Sequence, residues 1–123
     1  MINRASTTDW DTLARQIEDV RGMARDFAAH ARARFGRRLR DIRLYGSAAR
    51  GDWREGSDVD VLVVLDDVRP PDREWIAETV TRLGVLGAGI PLATVTLSEN
   101  QFNDLRQRER LFAREIDRDG LPL

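Results

Sequence analysis

The run Val59-Asp60-Val61-Leu62-Val63-Val64-Leu65 holds one polar residue in seven and four valines. A half-exposed strand alternates polar with apolar residues, whereas a β-branched run with almost no alternation suits a central strand covered on both faces. A chain with such a strand must supply other elements to cover it. Upstream, Thr8 and Asp11 make a short capping-box pattern, and Trp10, Leu13, Ile17, Val20, Ala24, Phe27, Ala31 and Phe35 recur at three- and four-residue steps. This predicts one long amphipathic helix over about Asp9 to Phe35, ended by Gly36.

Asp41 to Tyr45 alternates as a short strand does, up to the break at Gly46. Beyond the central run, Pro70-Pro71 breaks the chain and Asp72 is placed to cap a helix running to about Leu86. The glycines and proline of Gly84 to Pro91 read as a loop, and Leu92 to Leu97 alternates as a strand, with Leu92, Thr94 and Thr96 on one face and Ala93, Val95 and Leu97 on the other. Ser98 with Gln101 repeats the capping-box pattern and opens a helical region to about Asp119, broken near Gln107 where the apolar register slips. The expected fold is α/β in the α+β sense, a small mixed sheet flanked by helices, and the 123 residues suit a single domain, residues 1–123.

Composition narrows the chemistry. There is no cysteine and one histidine, His30, which removes thiolate and multi-histidine metal sites, disulfides and cysteine nucleophiles. All twenty basic residues are arginine, so lysine mechanisms are excluded and any phosphate contact is made by a guanidinium fork. No apolar run approaches the roughly 20 residues of a membrane span, and the cytoplasm is the expected location. The net charge of −1 hides a polarity: residues 1–56 carry twelve arginines against eight acids, and residues 57–123 carry eight against thirteen. The cluster Arg32, Arg34, Arg37, Arg38, Arg40 and Arg43 could meet RNA, an acidic protein or a nucleotide, or be only a solvated helix end; no nucleic-acid motif accompanies it, which leaves a nucleic-acid partner open.

The stretch Gly46 to Asp66, GSAARGDWREGSDVDVLVVLD, carries two features that need a chemical reason. Asp58 and Asp60, two apart at the head of an apolar strand, project their carboxylates from one face. Two anions so placed call for a shared proton, an arginine or a divalent cation, and paired carboxylates with open positions suit magnesium, which also takes substrate phosphate oxygens. Gly46 lets the backbone approach a ligand, Ser47 adds a hydroxyl at the start of a predicted helical turn, and Arg50, three residues on, comes round near Ser47. Trp53, between the two features, is expected to pack over the sheet edge more than to stack on a base.

Gly-Ser, ten intervening residues and then Asp-x-Asp opening an apolar strand resembles the polymerase-β-type nucleotidyltransferase superfamily. Ala49-Arg50-Gly51 and Ser57-Asp58-Val59-Asp60-Val61-Leu62-Val63 most resemble its minimal nucleotidyltransferases. The resemblance is dense from Leu44 to Leu65. It implies that Gly46 and Ser47 hold nucleotide phosphates with Arg50 as an auxiliary contact, and that Asp58 and Asp60 are the catalytic pair that binds Mg2+. The implied reaction moves a nucleoside monophosphate from a nucleoside triphosphate, ATP first among them, to a hydroxyl. The superfamily also places a third carboxylate on a later strand, whereas Leu92 to Leu97 has none; Glu99, Asp52 and Asp66 are the nearest substitutes. Minimal nucleotidyltransferases are often antitoxins paired with a helical HEPN-type ribonuclease toxin, so the resemblance implies such a partner. The alternative is a catalytically weak or inactive protein of the same fold that works by binding a partner.

Overall fold

The structure, a computed structural model, describes residues 4–123. The elements are α1 (Arg4–Phe35), β1 (Leu39–Tyr45), α2 (Ser47–Arg50), β2 (Val59–Leu65), α3 (Pro70–Leu83), β3 (Leu92–Ser98), α4 (Glu99–Arg108), α5 (Arg110–Asp119) and β4 (Leu121–Pro122). The sheet order is β3-β2-β1-β4. β1 runs antiparallel to β2 and β4, and β2 runs parallel to β3, with α3 as the crossover a parallel pair requires. This is the mixed sheet flanked by helices that the sequence predicts.

β2 is covered on both faces. Val59, Val61, Val63 and Leu65 pack with Val20, Ala24, Phe27 and Ala31 of α1, Ile42 and Leu44 of β1, and Ile76 of α3. Leu62 and Val64 face the other way, onto Phe102 of α4 and Ile116 of α5, with Tyr45, Val95, Leu97 and Phe112 around them. The residue alternation of β3 follows suit, because Val95 and Leu97 join the α4–α5 side while Thr94 and Thr96 line a groove with Ile76 and Val80 of α3. No helix among the described residues is long and apolar enough to cross a membrane.

Several boundaries differ from the sequence reading. α1 already runs from Arg4, so Thr8 lies inside the helix and not at its start; Ala5 to Thr8 contain no glycine or proline to stop it. α3 begins at Pro70, because proline is favoured in a first turn, and Asp72 becomes its third residue. Asp72 still caps the helix: its Oδ2 accepts from the Arg69 backbone N–H at 3.0 Å. The helix leaves α geometry at Gly84, in a wide π-type turn over Gly84–Ala88, where a loop was expected. Ser98 and Gln101 form the expected reciprocal cap, and the break falls at Glu109 between α4 and α5. β4 has too few residues to show a pattern and is visible only as a pairing with Arg43 and Leu44.

At the end of the sheet away from Gly46, Arg38 ties three elements together. Its Nη1 and Nη2 donate to Asp72 at 3.0 and 2.7 Å, its Nε donates to Asp66 at 3.1 Å, and its Nη2 also reaches the Asp67 carbonyl. The bidentate hydrogen bonds from Arg38, opposed by burial, hold the buried Asp72 carboxyl below its ordinary 3.8. The ionised form is the one the fold favours, so the stabilisation is full above 3.8 and is lost as pH falls through the lowered value. Asp72→Ala should destabilise the protein by about 2 kcal/mol at pH 7, because Arg38 and the Arg69 N–H lose their acceptor. The loss should shrink in melts taken at progressively lower pH, and a pH-independent loss would contradict the assignment.

Candidate active site

Tyr45, the last residue of β1, stands opposite Asp60 in the ladder with β2. The chain then turns at Gly46 with φ +71° and ψ −154°, a conformation that favours glycine. A Cβ on Gly46 would lie 2.5 Å from Asp60 Oδ2, so the carboxylate sits directly against the turn. α2 is fixed from both ends. The Gly46 carbonyl accepts from the N–H groups of Ala49 and Arg50 at 3.1 and 3.0 Å, and Arg21 of α1 donates from Nε and Nη2 to the carbonyls of Ala48 and Ala49 at 2.9 and 3.0 Å. Ala48 and Ala49 are buried beneath α1. The sequence reading missed Arg21, since nothing in its spacing tells which carbonyls it will meet.

Asp58 is exposed just ahead of β2, and Asp60 is half-buried within it. Leu62 and Val64 continue the Asp60 face and pack on α4 and α5, so Asp60 points to the side those helices cover, with the charge of Asp58 close enough to act on it. Burial first, and then the charges of Asp58 and Glu115, raise the Asp60 pKa, with Arg50 opposing them. The Tyr45 phenol is pushed up to about 12 by burial and by Asp60 and Glu115, so it stays neutral. Its ring meets Phe112 of α5 edge to face, at 5.7 Å. The structure thus brings Gly46, Ser47, Arg50 and Asp60 to one end of the sheet, with Asp58 beside them.

No acid lies on β3 along this face: Ala93 is beside Asp60, followed by Val95 and Leu97. Of the three substitutes, Glu99 pairs with Arg40 at 2.8 Å and Asp66 is held by Arg38, both away from the turn. Asp52 lies 3.5 Å from Arg50. A further acid, Glu115 of α5, also reaches the site: its Oε1 accepts from Arg50 Nη1 at 3.2 Å and its charge acts on Asp60. Its neighbour Ile116 packs on β2, a placement that only the sheet contact of α5 reveals. Trp53 is buried in the α1-side core and donates from its indole N–H to the Ser57 carbonyl at 3.1 Å.

Among the described residues no three acidic or histidine side chains converge as a complete metal cage. Two neighbouring carboxylates, Asp58 and Asp60, nevertheless fit a magnesium ion that takes its remaining ligands from phosphates and water.

Residues 25–117 match the nucleotidyltransferase domain family, and the chain belongs to that family. It is therefore a transferase of nucleotidyl groups. A protein of Methanocaldococcus jannaschii, provisionally named a protein adenylyltransferase, is 33% identical over 79 residues, covering 64% of this chain and 74% of the relative. A crystal structure from Sulfolobus solfataricus, provisionally titled a nucleotidyltransferase, aligns with a TM-score of 0.46 and 18% identity over 91% of this chain and 82% of that one.

Because burial and like charge disfavour ionised Asp60, metal-free protein should gain stability as pH falls through that raised pKa. Asp60→Asn should therefore raise the melting temperature at pH 7 by a few degrees and narrow the gap to wild type at low pH. A lower melting temperature for the variant at pH 7 would contradict the electrostatic reading.

Proposed function

We propose that this chain transfers a nucleoside monophosphate from a nucleoside triphosphate, ATP foremost, to a hydroxyl of a partner protein, using Mg2+ held by Asp58 and Asp60. The observation that carries this reading is the packing of the Asp60 carboxylate directly on the Gly46 turn. Phosphate oxygens that approach Gly46 are thereby within reach of a cation on the aspartates. The absent side chain at Gly46 makes room for the Asp60 carboxylate against the turn, the Ser47 hydroxyl donates to a phosphate oxygen, and Arg50 adds a charged fork. Magnesium, when bound, supplies charge neutralisation on the phosphates and the departing pyrophosphate. The protein's own part is positioning: Arg21 keeps α2 in place, and the buried strand fixes Asp60 against it.

A protein acceptor is supported by the name of the Methanocaldococcus relative, and a HEPN-type toxin is the partner suggested by the resemblance to minimal nucleotidyltransferases. One observation favours a second reading, in which transfer is slow and partner binding is the main role: β3 offers no carboxylate beside Asp60.

Titration calorimetry with a non-hydrolysable ATP analogue separates the outcomes. Magnesium-dependent binding by wild type, weakened at least about tenfold in an Asp58→Ala, Asp60→Ala double variant that still melts cooperatively, is the expected result. Equal affinity in the two proteins would remove the aspartates from the site. Labelled transfer to a co-expressed partner then distinguishes an active transferase from a binding protein.

A further inference from the structure

Among the described residues, Arg50 of α2 is the cation that acts on both Asp60 and the C-terminal helix α5. Its Nη1 donates to Glu115 at 3.2 Å and its Nε lies 3.5 Å from Asp52, while its charge also reaches Asp60. A guanidinium has five N–H donors in a fixed fork, and a carboxylate presents to it much the same pair of oxygens as a phosphate. Among the described residues Glu115 has Arg50 as its sole ion-pair partner. α5, which carries Glu115, is a separate segment: it joins α4 through Glu109, at φ −113° and ψ 69°, and buries only Ala113 and Ile116.

We propose that Glu115 is the internal occupant of Arg50, holding the guanidinium until a nucleotide phosphate displaces it, so that nucleotide binding is coupled to the seating of α5. This rests on the reading of Arg50 as a phosphate contact. Once a phosphate takes the guanidinium, the hydrogen bond that ties Glu115 of α5 to Arg50 of α2 is lost. Glu115 thus acts through Arg50 as a positioning residue. The incoming phosphate must outcompete a carboxylate already in place, which lowers the apparent affinity by the strength of that half-exposed pair.

The test is calorimetry with magnesium and the non-hydrolysable ATP analogue on wild type, Glu115→Gln, Arg50→Gln and the double variant. Glu115→Gln should bind about threefold more tightly than wild type, and the same substitution in the Arg50→Gln background should leave affinity unchanged. A general reduction of negative charge would instead help equally in both backgrounds, and that result overturns the inference. Unchanged or weaker binding by Glu115→Gln overturns it as well, while the nucleotide site itself stands. Absence of binding in wild type and Glu115→Gln alike would overturn both, whereas binding that appears only in Glu115→Gln supports both.

Discussion

The register of β1 against β2 places Tyr45 opposite Asp60, and so puts the next residue, Gly46, against the Asp60 carboxylate. A slip of one residue would turn Asp60 into the α1-side core and bring a valine to the turn. The register is held by what β2 buries. Val59, Val61, Val63 and Leu65 fill the space under α1 and α3 while Leu62 and Val64 fill that under α4 and α5, so the strand cannot slide without exposing one set or clashing in the other. Arg38 locks the far end, where Asp66 follows β2 and Asp72 caps the first turn of α3. The apolar run thus serves as the mount that aims a single aspartate.

The site end of the sheet concentrates negative charge. Asp52 and Glu115 pair with Arg50, Asp58 lies near Asp60, and burial first, then the charges of Asp58 and Glu115, raise the Asp60 pKa. Such a site is built to the advantage of a cation, at some cost to the stability of the metal-free protein. The acidic half of the sequence supplies three of these four carboxylates, and the early arginine cluster lies mostly elsewhere: Arg38, Arg40 and Arg43 are committed to Asp72, Glu99 and Asp41.

Much of this was legible in the residues because it depends on local pattern. A run such as Val59 to Leu65 can satisfy its valines only in a doubly covered strand, and the Ser98–Gln101 cap is written in two side chains three apart. What was not legible depends on tertiary placement. Arg21 and Glu115 reach α2 from residues 27 to 65 positions away in the chain, and neither belongs to a motif. β4 is two residues long and exists only because Leu121 and Pro122 meet the edge of β1. Helix ends moved for a simpler reason: Ala5 to Thr8 do not oppose helix, and Pro70 starts one more readily than Asp72 does.

The claim on which the rest turns is that the close approach of Gly46 to Asp60 makes one site from two segments. Gly46→Ala places a methyl group where the Asp60 carboxylate now lies and imposes a side chain on a left-handed backbone, while leaving both aspartates in the chain. Calorimetry of this variant with magnesium and the ATP analogue is the most direct measurement. Loss of magnesium-dependent binding by at least about tenfold, in a protein that still folds, is the result expected from a shared site. Binding equal to that of wild type would show that the turn and the aspartates do not act together.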